Sequence, residues 1–227
     1  MNTFVGRLWE KALPYIKRIQ KKDIILLFLA IIVGVLVGLA SVALKYAIEK
    51  LLSFSFAAKG EVILGSLSYV PFYYILLIPA FGGLFVGLVK NYLFPAQTLG
   101  GVEQVMKSLA LKQGRFSYKE ILQRFVNSTL TLGTGGSAGK EGPVVHVGGG
   151  IGSFVARFFY LSDEYVKALV GSGAAAGIAA AFNAPIAGTF FAMEILLGDI
   201  SLNIVSMLLV ASISATMIGR LFQGEFS

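Results

Sequence analysis

The residues best suited to chemistry lie in a glycine-rich segment, Gly133–Pro143, which carries one carboxylate, Glu141, at the head of an apolar stretch. A helix that begins at Gly142 or Pro143 presents backbone N–H groups without partners and the positive end of its dipole, and both attract anions. Because Glu141 lies at that end, its carboxylate can occupy an anion site itself and leave when it is protonated. The segment therefore indicates a site where a small anion and a proton compete, and a glutamate that only caps the helix is the alternative.

Enzymatic interpretations of the same segment fail at particular residues. A phosphate-binding loop needs glycine five positions before Gly139 and Ser or Thr after the lysine, but Thr134 and Glu141 stand there. A serine hydrolase built on Ser137 is disfavoured, because no acidic residue is placed near His146 to orient it. His146 is the only histidine and the chain has no cysteine, so we expect a packed imidazole and no metal site. The pattern predicts neither an enzyme nor a cofactor.

The composition is typical of a membrane protein. Hydrophobic residues make up 56% of the chain, charged residues 14%, and the mean hydropathy is +0.78. A helix needs about 20 apolar residues to cross a hydrocarbon core of about 30 Å. The small-residue spacings Gly34-x-x-x-Gly38 and Gly83-x-x-x-Gly87 permit close helix contact. Four charge-free runs are long enough to cross: Ile24–Leu44, Val62–Val89, Ala168–Met193 and Ile200–Gly219.

Other apolar segments are too short to cross. Phe125–Gly139 and Gly142–Ala156 have 15 residues each, which predicts half-helices or tilted segments that meet inside the membrane. The charges of Gln113–Arg124 mark an aqueous region, so Leu99–Ala110 must dip into the membrane and return or lie at its interface. We therefore predict an all-α integral membrane protein with tilted, broken and partially spanning helices.

Local residues also predict several helix boundaries. Ser162 is expected to cap the helix that follows it. Asn183 and Pro185 are expected to divide the third long run into two helices, because they disrupt helical hydrogen bonding. Three uninterrupted helices are expected at Ile24–Ser53, about Phe72–Leu93, and Ile200–Leu221.

Positive charge is concentrated before the first apolar run. The net charge is +7 at pH 7, and six basic residues precede Ile24. By the positive-inside rule these residues hold the N-terminus in the cytoplasm, so the basicity does not indicate nucleic-acid binding. We expect residues 1–23 to form a cytoplasmic or interfacial basic segment, and residues 24–227 to form a membrane domain in contact with lipid. The six residues are Arg7, Lys11, Lys17, Arg18, Lys21 and Lys22.

Two motifs resemble those of the CLC family of chloride channels and chloride/proton antiporters. Gly139-Lys-Glu-Gly-Pro143 resembles the family's Gly-Arg/Lys-Glu-Gly-Pro signature, and Ala179–Glu194 resembles its Phe-Asn-Ala-Pro signature. The resemblance covers most of the chain from Ile24 onward. It implies the first of the family's two inverted repeats, with Glu141 as the external gating glutamate. It also assigns Gly100, Gly101, Val102, Lys140, Gly142 and Pro143 to anion binding, and Phe182, Asn183, Pro185 and Glu194 to a structural motif.

The chain departs from the family's pattern at three points. The serine of the family's first anion-binding loop falls on Gly100, so a hydroxyl ligand is missing and the backbone amides of Gly100–Val102 remain. The antiporters' inner proton-accepting glutamate falls on Ile195, beside Glu194, which we expect to form a structural pair. The chain also stops after what resembles one repeat. We therefore expect a fragment, a split protein that needs a second-half partner, or a parallel assembly.

The resemblance implies transport of chloride or another small anion, by a channel or a proton-coupled exchanger. The expected location is the plasma membrane of a prokaryote, with several membrane crossings and a cytoplasmic N-terminus. Expected partners are lipid, the transported anion, and either further copies of the chain or a second-half CLC chain. The alternatives are a non-conducting half-subunit or assembly module and, because the first loop is altered at Gly100, a fluoride-selective transporter.

Overall fold

The computed structural model describes residues 21–56, 72–93, 100–198 and 201–223, and every regular element within these ranges is helical. This confirms the all-α class. Most of the basic N-terminal segment lies outside the described residues, as do Leu99 and Ile200. The elements are α1 (Lys21–Phe56), α2 (Phe72–Leu93), α3 (Val102–Leu111), α4 (Tyr118–Gly133), α5 (Glu141–Phe158), α6 (Asp163–Phe182), α7 (Pro185–Phe191), a π-helical segment (Ala192–Leu197) and α8 (Leu202–Gln223).

Four of these helices, α1, α2, α6 and α8, are long and apolar enough to cross a membrane. Each overlaps one of the four runs expected from the sequence and extends beyond it at one or both ends. The 10 residues of α3 extend only about 15 Å, so this helix cannot cross a hydrocarbon core of about 30 Å. The 16 residues of α4 and the 18 residues of α5 extend about 24 and 27 Å. Partially spanning helices are therefore present, as predicted.

Helix α6 lies at the centre of the fold, where it packs against α1, α5, α7 and α8. Its stretch Gly171–Ala179 is buried and, apart from Ile178, consists of glycine, alanine and serine. Such small side chains let the backbones of neighbouring helices approach, and in lipid it is close packing that holds helices together. The core therefore depends on backbone proximity more than on large side chains.

Glycines make the closest of these contacts, between α5 and α6. Gly148 and Gly173 face each other so closely that a Cβ on either would collide with the carbonyl oxygen of the other. A Cβ on Gly152 of α5 would likewise collide with a carbonyl oxygen of α6, and a Cβ on Gly177 of α6 would collide with a carbonyl oxygen of α5. The paired spacings Gly148-x-x-x-Gly152 and Gly173-x-x-x-Gly177 thus fix the position of α5 along α6.

The two glycine pairs singled out in the sequence have different surroundings. A Cβ on Gly34 or Gly38 would collide with α8, at Ala211 and Ala215 respectively, so this pair does mediate close contact. In contrast, Gly83 and Gly87 of α2 have no atom of the described residues within 4 Å of a built Cβ. The spacing alone therefore does not identify which pair lies in an interface.

The start of α4 differs from the expectation. An aqueous segment was predicted up to Arg124, but the helix begins seven residues before Phe125, at Tyr118. The cause is a capping box, in which the Ser117 hydroxyl accepts from backbone N–H groups of the first turn and the Glu120 carboxylate accepts from the Ser117 N–H. Arg124 therefore lies on the helix and its side chain is half-buried.

The remaining boundaries agree with the sequence. Asn183 ends α6 in the left-handed conformation, with φ 53°, and Pro185 is the first residue of α7. Ser162 immediately precedes α6 as predicted, although its hydroxyl makes no capping hydrogen bond. The break between α6 and α7 is thus confirmed.

The α5–α6 contact can be tested with Gly173→Ala and Gly83→Ala. A Cβ at residue 173 would overlap backbone atoms of Gly148, so we expect Gly173→Ala to destabilise the protein, at the scale of about 1–3 kcal/mol typical of overpacking. At residue 83 the added methyl group meets open space, and alanine is favoured over glycine in a helix by up to about 1 kcal/mol. Thermal unfolding of the detergent-solubilised protein should therefore shift down for the first variant and hold or rise for the second. Equal shifts would contradict the described contact.

Candidate functional site

The starts of α3 and α5 meet at two glycines. A Cβ built on Gly101 would lie 3.1 Å from the Cα of Gly142, and one built on Gly142 would lie 3.2 Å from the Cα of Gly101. Gly101 also has φ 86° and ψ −147°, a conformation essentially restricted to glycine. The structure therefore brings together the two loops that the sequence assigned to anion binding.

Both helix starts carry backbone N–H groups that their own helix cannot satisfy. The first helical bonds run from the Val105 N–H to the Gly101 carbonyl and from the Val144 N–H to the Lys140 carbonyl, each at 3.3 Å. The N–H groups just before them, on residues 102–104 and 141–142, have no acceptor within their own helix. Pro143, which was assigned to anion binding, has no N–H and so contributes only its buried ring. Two positive helix ends converge at this place.

Glu141 is the first residue of α5, and its side chain is exposed in the chain described here. The carboxylate folds back against Gly139, occupying the space that a side chain at residue 139 would need. It lines a cavity of about 440 Å³ between α1, α6 and the loop before α5. Lys140, Lys45 and Glu49 line the same cavity, and the Lys45 Nζ lies 3.8 Å from the Glu49 Oε1. The carboxylate thus has room to move beside two cationic side chains.

The Phe-Asn-Ala-Pro motif connects the end of α6 to two other helices. The Lys140 Nζ, at the start of α5, lies 5.6 Å from the centre of the Phe182 ring, within the range of a cation–π contact. The Asn183 Oδ1 accepts a hydrogen bond from the Arg220 Nε of α8 at 2.7 Å. Pro185 is the first residue of α7, so the motif connects the end of α6 to α5, α7 and α8 near Glu141.

Glu194 was expected to form a structural pair. It lies in the π-helical segment with an exposed side chain, and no ion pair of the described residues involves it. The structural pair is therefore not seen among the described residues and stays a prediction. Ile195 is 43% exposed, so the position where the resemblance places an inner proton acceptor is apolar and open.

Arg124 is the site residue that sequence reasoning missed. A Cβ on Gly100 would lie 3.2 Å from the Arg124 Nε and would overlap the guanidinium, and one on Gly142 would lie 3.2 Å from its Nη2. The guanidinium therefore fills the space beside both helix starts. The capping box at Ser117 and Glu120, which places residue 124 inside a helix, was the signal that could have revealed it.

The chain is similar in sequence to proteins of a known family. Residues 82–227 match the protein family described as voltage gated chloride channel. The chain is 33% identical over 203 residues to a ClcB-like chloride channel protein of Ralstonia nicotianae, covering 88% of this chain and 47% of that protein. It is 33% identical over 215 residues to the H(+)/Cl(−) exchange transporter ClcA of Cronobacter sakazakii, covering 92% and 45%. The chain thus spans about half the length of the curated relatives it matches.

Two solved structures have the same fold. A slow cyanobacterial Cl−/H+ antiporter superposes with a TM-score of 0.70 and 27% identity, covering 88% of this chain and 47% of that one. A CLC-type fluoride/proton antiporter superposes with a TM-score of 0.66 and 23% identity, covering 99% and 49%. At that identity the second likeness shows the fold alone. Together with the four apolar helices, these relatives establish an integral membrane protein.

The contact between the helix starts can be tested with Gly101→Ala and Gly198→Ala. Both glycines have positive φ, but residue 198 (φ 62°) is in the αL region and faces open space, whereas residue 101 faces Gly142. The conformation of residue 101 costs a non-glycine residue about 1–3 kcal/mol before the contact with Gly142 is counted. Gly101→Ala should therefore lower the unfolding temperature measured by circular dichroism clearly more than Gly198→Ala. Equal losses would mean that the two helix starts are not in contact.

Proposed function

Because this chain belongs to the voltage-gated chloride channel family, we propose that it moves chloride or another small anion across a membrane, with Glu141 as the gating carboxylate. The observation that carries this proposal is the backbone contact between α3 and α5 at Gly101 and Gly142. Two helix N-termini in contact concentrate unpaired N–H donors and positive dipole ends at one place. A small anion accepts those hydrogen bonds and offsets the positive potential.

The proposed anion ligands are backbone amides. Gly100, Gly101 and Val102 offer theirs at the start of α3, and Gly142 offers its own at the start of α5. Lys140 adds a full positive charge beside them. Because Gly100 has no hydroxyl, the ligand set differs from that implied for the CLC family, and the choice among chloride, fluoride and other anions depends on these amides and the nearby cations.

Glu141 is proposed as the gate because its carboxylate shares the helix end with that site. An ionised carboxylate and a small anion both seek the same unpaired donors, so one excludes the other. Protonation removes the negative charge and frees the donors. The cavity of about 440 Å³ provides room for the side chain to leave, with Lys45 and Lys140 at its wall.

Helices beyond those described here are proposed to complete the pathway. The chain matches about half of each relative, and the Glu141 side chain is exposed in it. We propose that a second set of helices, in a further chain or in a longer protein, packs against this side and encloses the anion. Homo-oligomers are the alternative assembly.

Channel-like conduction and proton-coupled exchange both fit the Glu141 gate. The exposed Ile195 favours conduction without strict coupling, because a second protonatable group is absent at that position. Measuring proton movement alongside anion flux distinguishes the two. A non-conducting half-subunit is a second candidate, favoured by Gly100 and Ile195 together, and anion flux through vesicles that contain the chain would exclude it.

We further propose a setting consistent with this function. The relatives named above are bacterial, so the proposed location is a prokaryotic plasma membrane. The six basic residues before Ile24 place the N-terminus in the cytoplasm. The anion is then the transported ion, and neither an enzyme activity nor a cofactor is required.

The gating role can be tested with Glu141→Gln in reconstituted vesicles, with the chain alone and with a second-half chain. Glutamine cannot ionise, so we expect the dependence of chloride flux on pH to be abolished while flux persists. The measurement is chloride efflux from vesicles over a pH series.

Glu49→Gln is the matched control, because Glu49 lines the same cavity but is paired with Lys45. It should retain the pH dependence of the unaltered protein. A Glu141→Gln variant that still responds to pH would remove Glu141 from the gating role.

A further inference from the structure

A polar stripe runs along α4. Glu120, Gln123, Arg124, Asn127 and Thr131 recur at spacings of three and four residues, which places them on one face of the helix. From the first to the last the stripe extends about 16 Å along the helix axis. Polar and charged side chains inside a membrane protein generally face a water-filled cavity, a partner or a substrate.

The stripe faces a cavity of about 270 Å³ that α2, α3 and α5 also enclose. Lys90 of α2, Gln104 of α3 and His146 of α5 contribute to its wall. A water molecule takes up about 30 Å³ in the liquid, so the cavity has room for a small ion with part of its hydration shell. Glu141 lines the other cavity, on the far side of Ala138 and Gly139.

Three buried polar atoms on this wall have no hydrogen-bond partner among the described residues: the Arg124 Nε, the Asn127 Oδ1 and the His146 Nδ1. His146 is only 3% exposed, and its ring packs edge-on against Phe116 with centroids 5.3 Å apart. Buried polar groups are almost always paired, because an unpaired one costs about 1–3 kcal/mol. Three such atoms on residues that line one cavity raise the question of what occupies it.

The charges on the wall select the kind of occupant. None of the ion pairs of the described residues involves Arg124. Glu120, the acid on the same stripe, is already engaged, because its Oε1 lies 3.3 Å from the Lys112 Nζ and its Oε2 accepts from the Ser117 N–H. An unpaired cation in a partly buried site requires a negative counterpart. Water satisfies the hydrogen bonds but leaves this charge uncompensated.

We propose that this cavity is a second anion site, in which Arg124, His146 and Asn127 bind a small inorganic anion such as chloride behind the starts of α3 and α5. In the described conformation these three atoms are closed off from the cavity, so the side chains rotate to bring an N–H of the Arg124 guanidinium, a hydrogen on the His146 Nδ1 and the NH2 group of the Asn127 amide to the anion. The ligands are side chains on the far side of the loop from Glu141. Gly100 and Pro143 line this cavity too, so the site borders the proposed transport site, but Glu141 does not line it.

The absence of cysteine from the chain allows a local test. Ser128 lies in the cavity wall and is only 6% exposed, and Ser128→Cys exchanges a hydroxyl for a thiol of similar shape. The full chain in vesicles is treated with an anionic (sulfonatoethyl) or a cationic (trimethylammonium-ethyl) methanethiosulfonate, and labelling rates are measured by mass spectrometry. We expect the anionic reagent to react at least about tenfold faster, because a nearby full charge raises the local concentration of anions.

Chloride, compared with gluconate at equal ionic strength, should slow the labelling of Ser128→Cys severalfold, because it occupies the same cavity. Adding Arg124→Gln should remove both the charge preference and the protection, whereas Arg124→Lys should retain them. Arg157→Gln is the matched control, since Arg157 is exposed in the last turn of α5, about 24 Å from its start. Ser162→Cys, at an exposed position, reports the reactivity of the reagents themselves.

The site is overturned if Ser128→Cys is labelled equally by both reagents, or by neither while Ser162→Cys reacts, or if chloride gives no protection. If Arg124→Gln fails to fold, the Ser128→Cys variant that retains Arg124 still tests the site. In that variant the preference for the anionic reagent and the slowing of labelling by chloride are both measured. Arg124-dependent protection in a chain that moves no anion supports this site and counts against the transport function. Anion flux in a chain whose Ser128→Cys labelling is not slowed by chloride supports the transport function and counts against this site.

Discussion

Close contact between helix backbones is the constraint on which the arrangement depends. In a bilayer no hydrophobic force drives helices together, so their association depends on packing, and small residues permit the closest packing. Gly148 and Gly173 hold α5 against α6, and the resulting position of α5 brings Gly142 against Gly101 of α3. Glu141 is therefore placed by contacts two turns further along its helix, and no hydrogen bond or ion pair from the described residues holds its side chain. The mobility that the proposed gating role requires of this side chain is compatible with a rigid helix beneath it.

The same contact gathers positive charge. Each helix start is equivalent to about half an elementary positive charge, and two of them touch at Gly101 and Gly142. The Arg124 guanidinium lies against the same two loops, and Lys140 is the residue that immediately precedes α5. Three or more positive groups at one place repel each other unless negative charge joins them. Glu141 supplies that charge on one side of the loop, and mobile anions can supply it on either side.

The sequence predicts the parts of the fold that depend on local patterns. Apolar length identified the four spanning helices, and Asn183 with Pro185 identified the break after α6. The contact between Gly101 and Gly142 joins residues far apart in sequence, so no local pattern reveals it, although the family resemblance assigned both residues to one function. Arg124 was misplaced because a run of charges was taken to be aqueous, when the capping box at Ser117 makes that run helical. The composition of a segment shows how polar it is, but the groups that its polar side chains contact depend on how the helix packs in the fold.

Gly100 and Arg124 are best understood together. The resemblance places a serine where the chain has Gly100, but a Cβ there would overlap the guanidinium, so a side chain at residue 100 and this position of Arg124 exclude each other. The glycine therefore does not simply remove an anion ligand, because it admits a full positive charge in place of a hydroxyl dipole. A hydroxyl binds an anion only at hydrogen-bond distance and in a defined direction, whereas the attraction of a charge falls off only as the inverse of distance. A guanidinium is also more weakly hydrated than an ammonium group, so it remains available to an anion in a half-buried position. In the proposed function, exchanging a directional ligand for a longer-range charge keeps the region attractive to anions and relaxes the geometric basis for choosing among them.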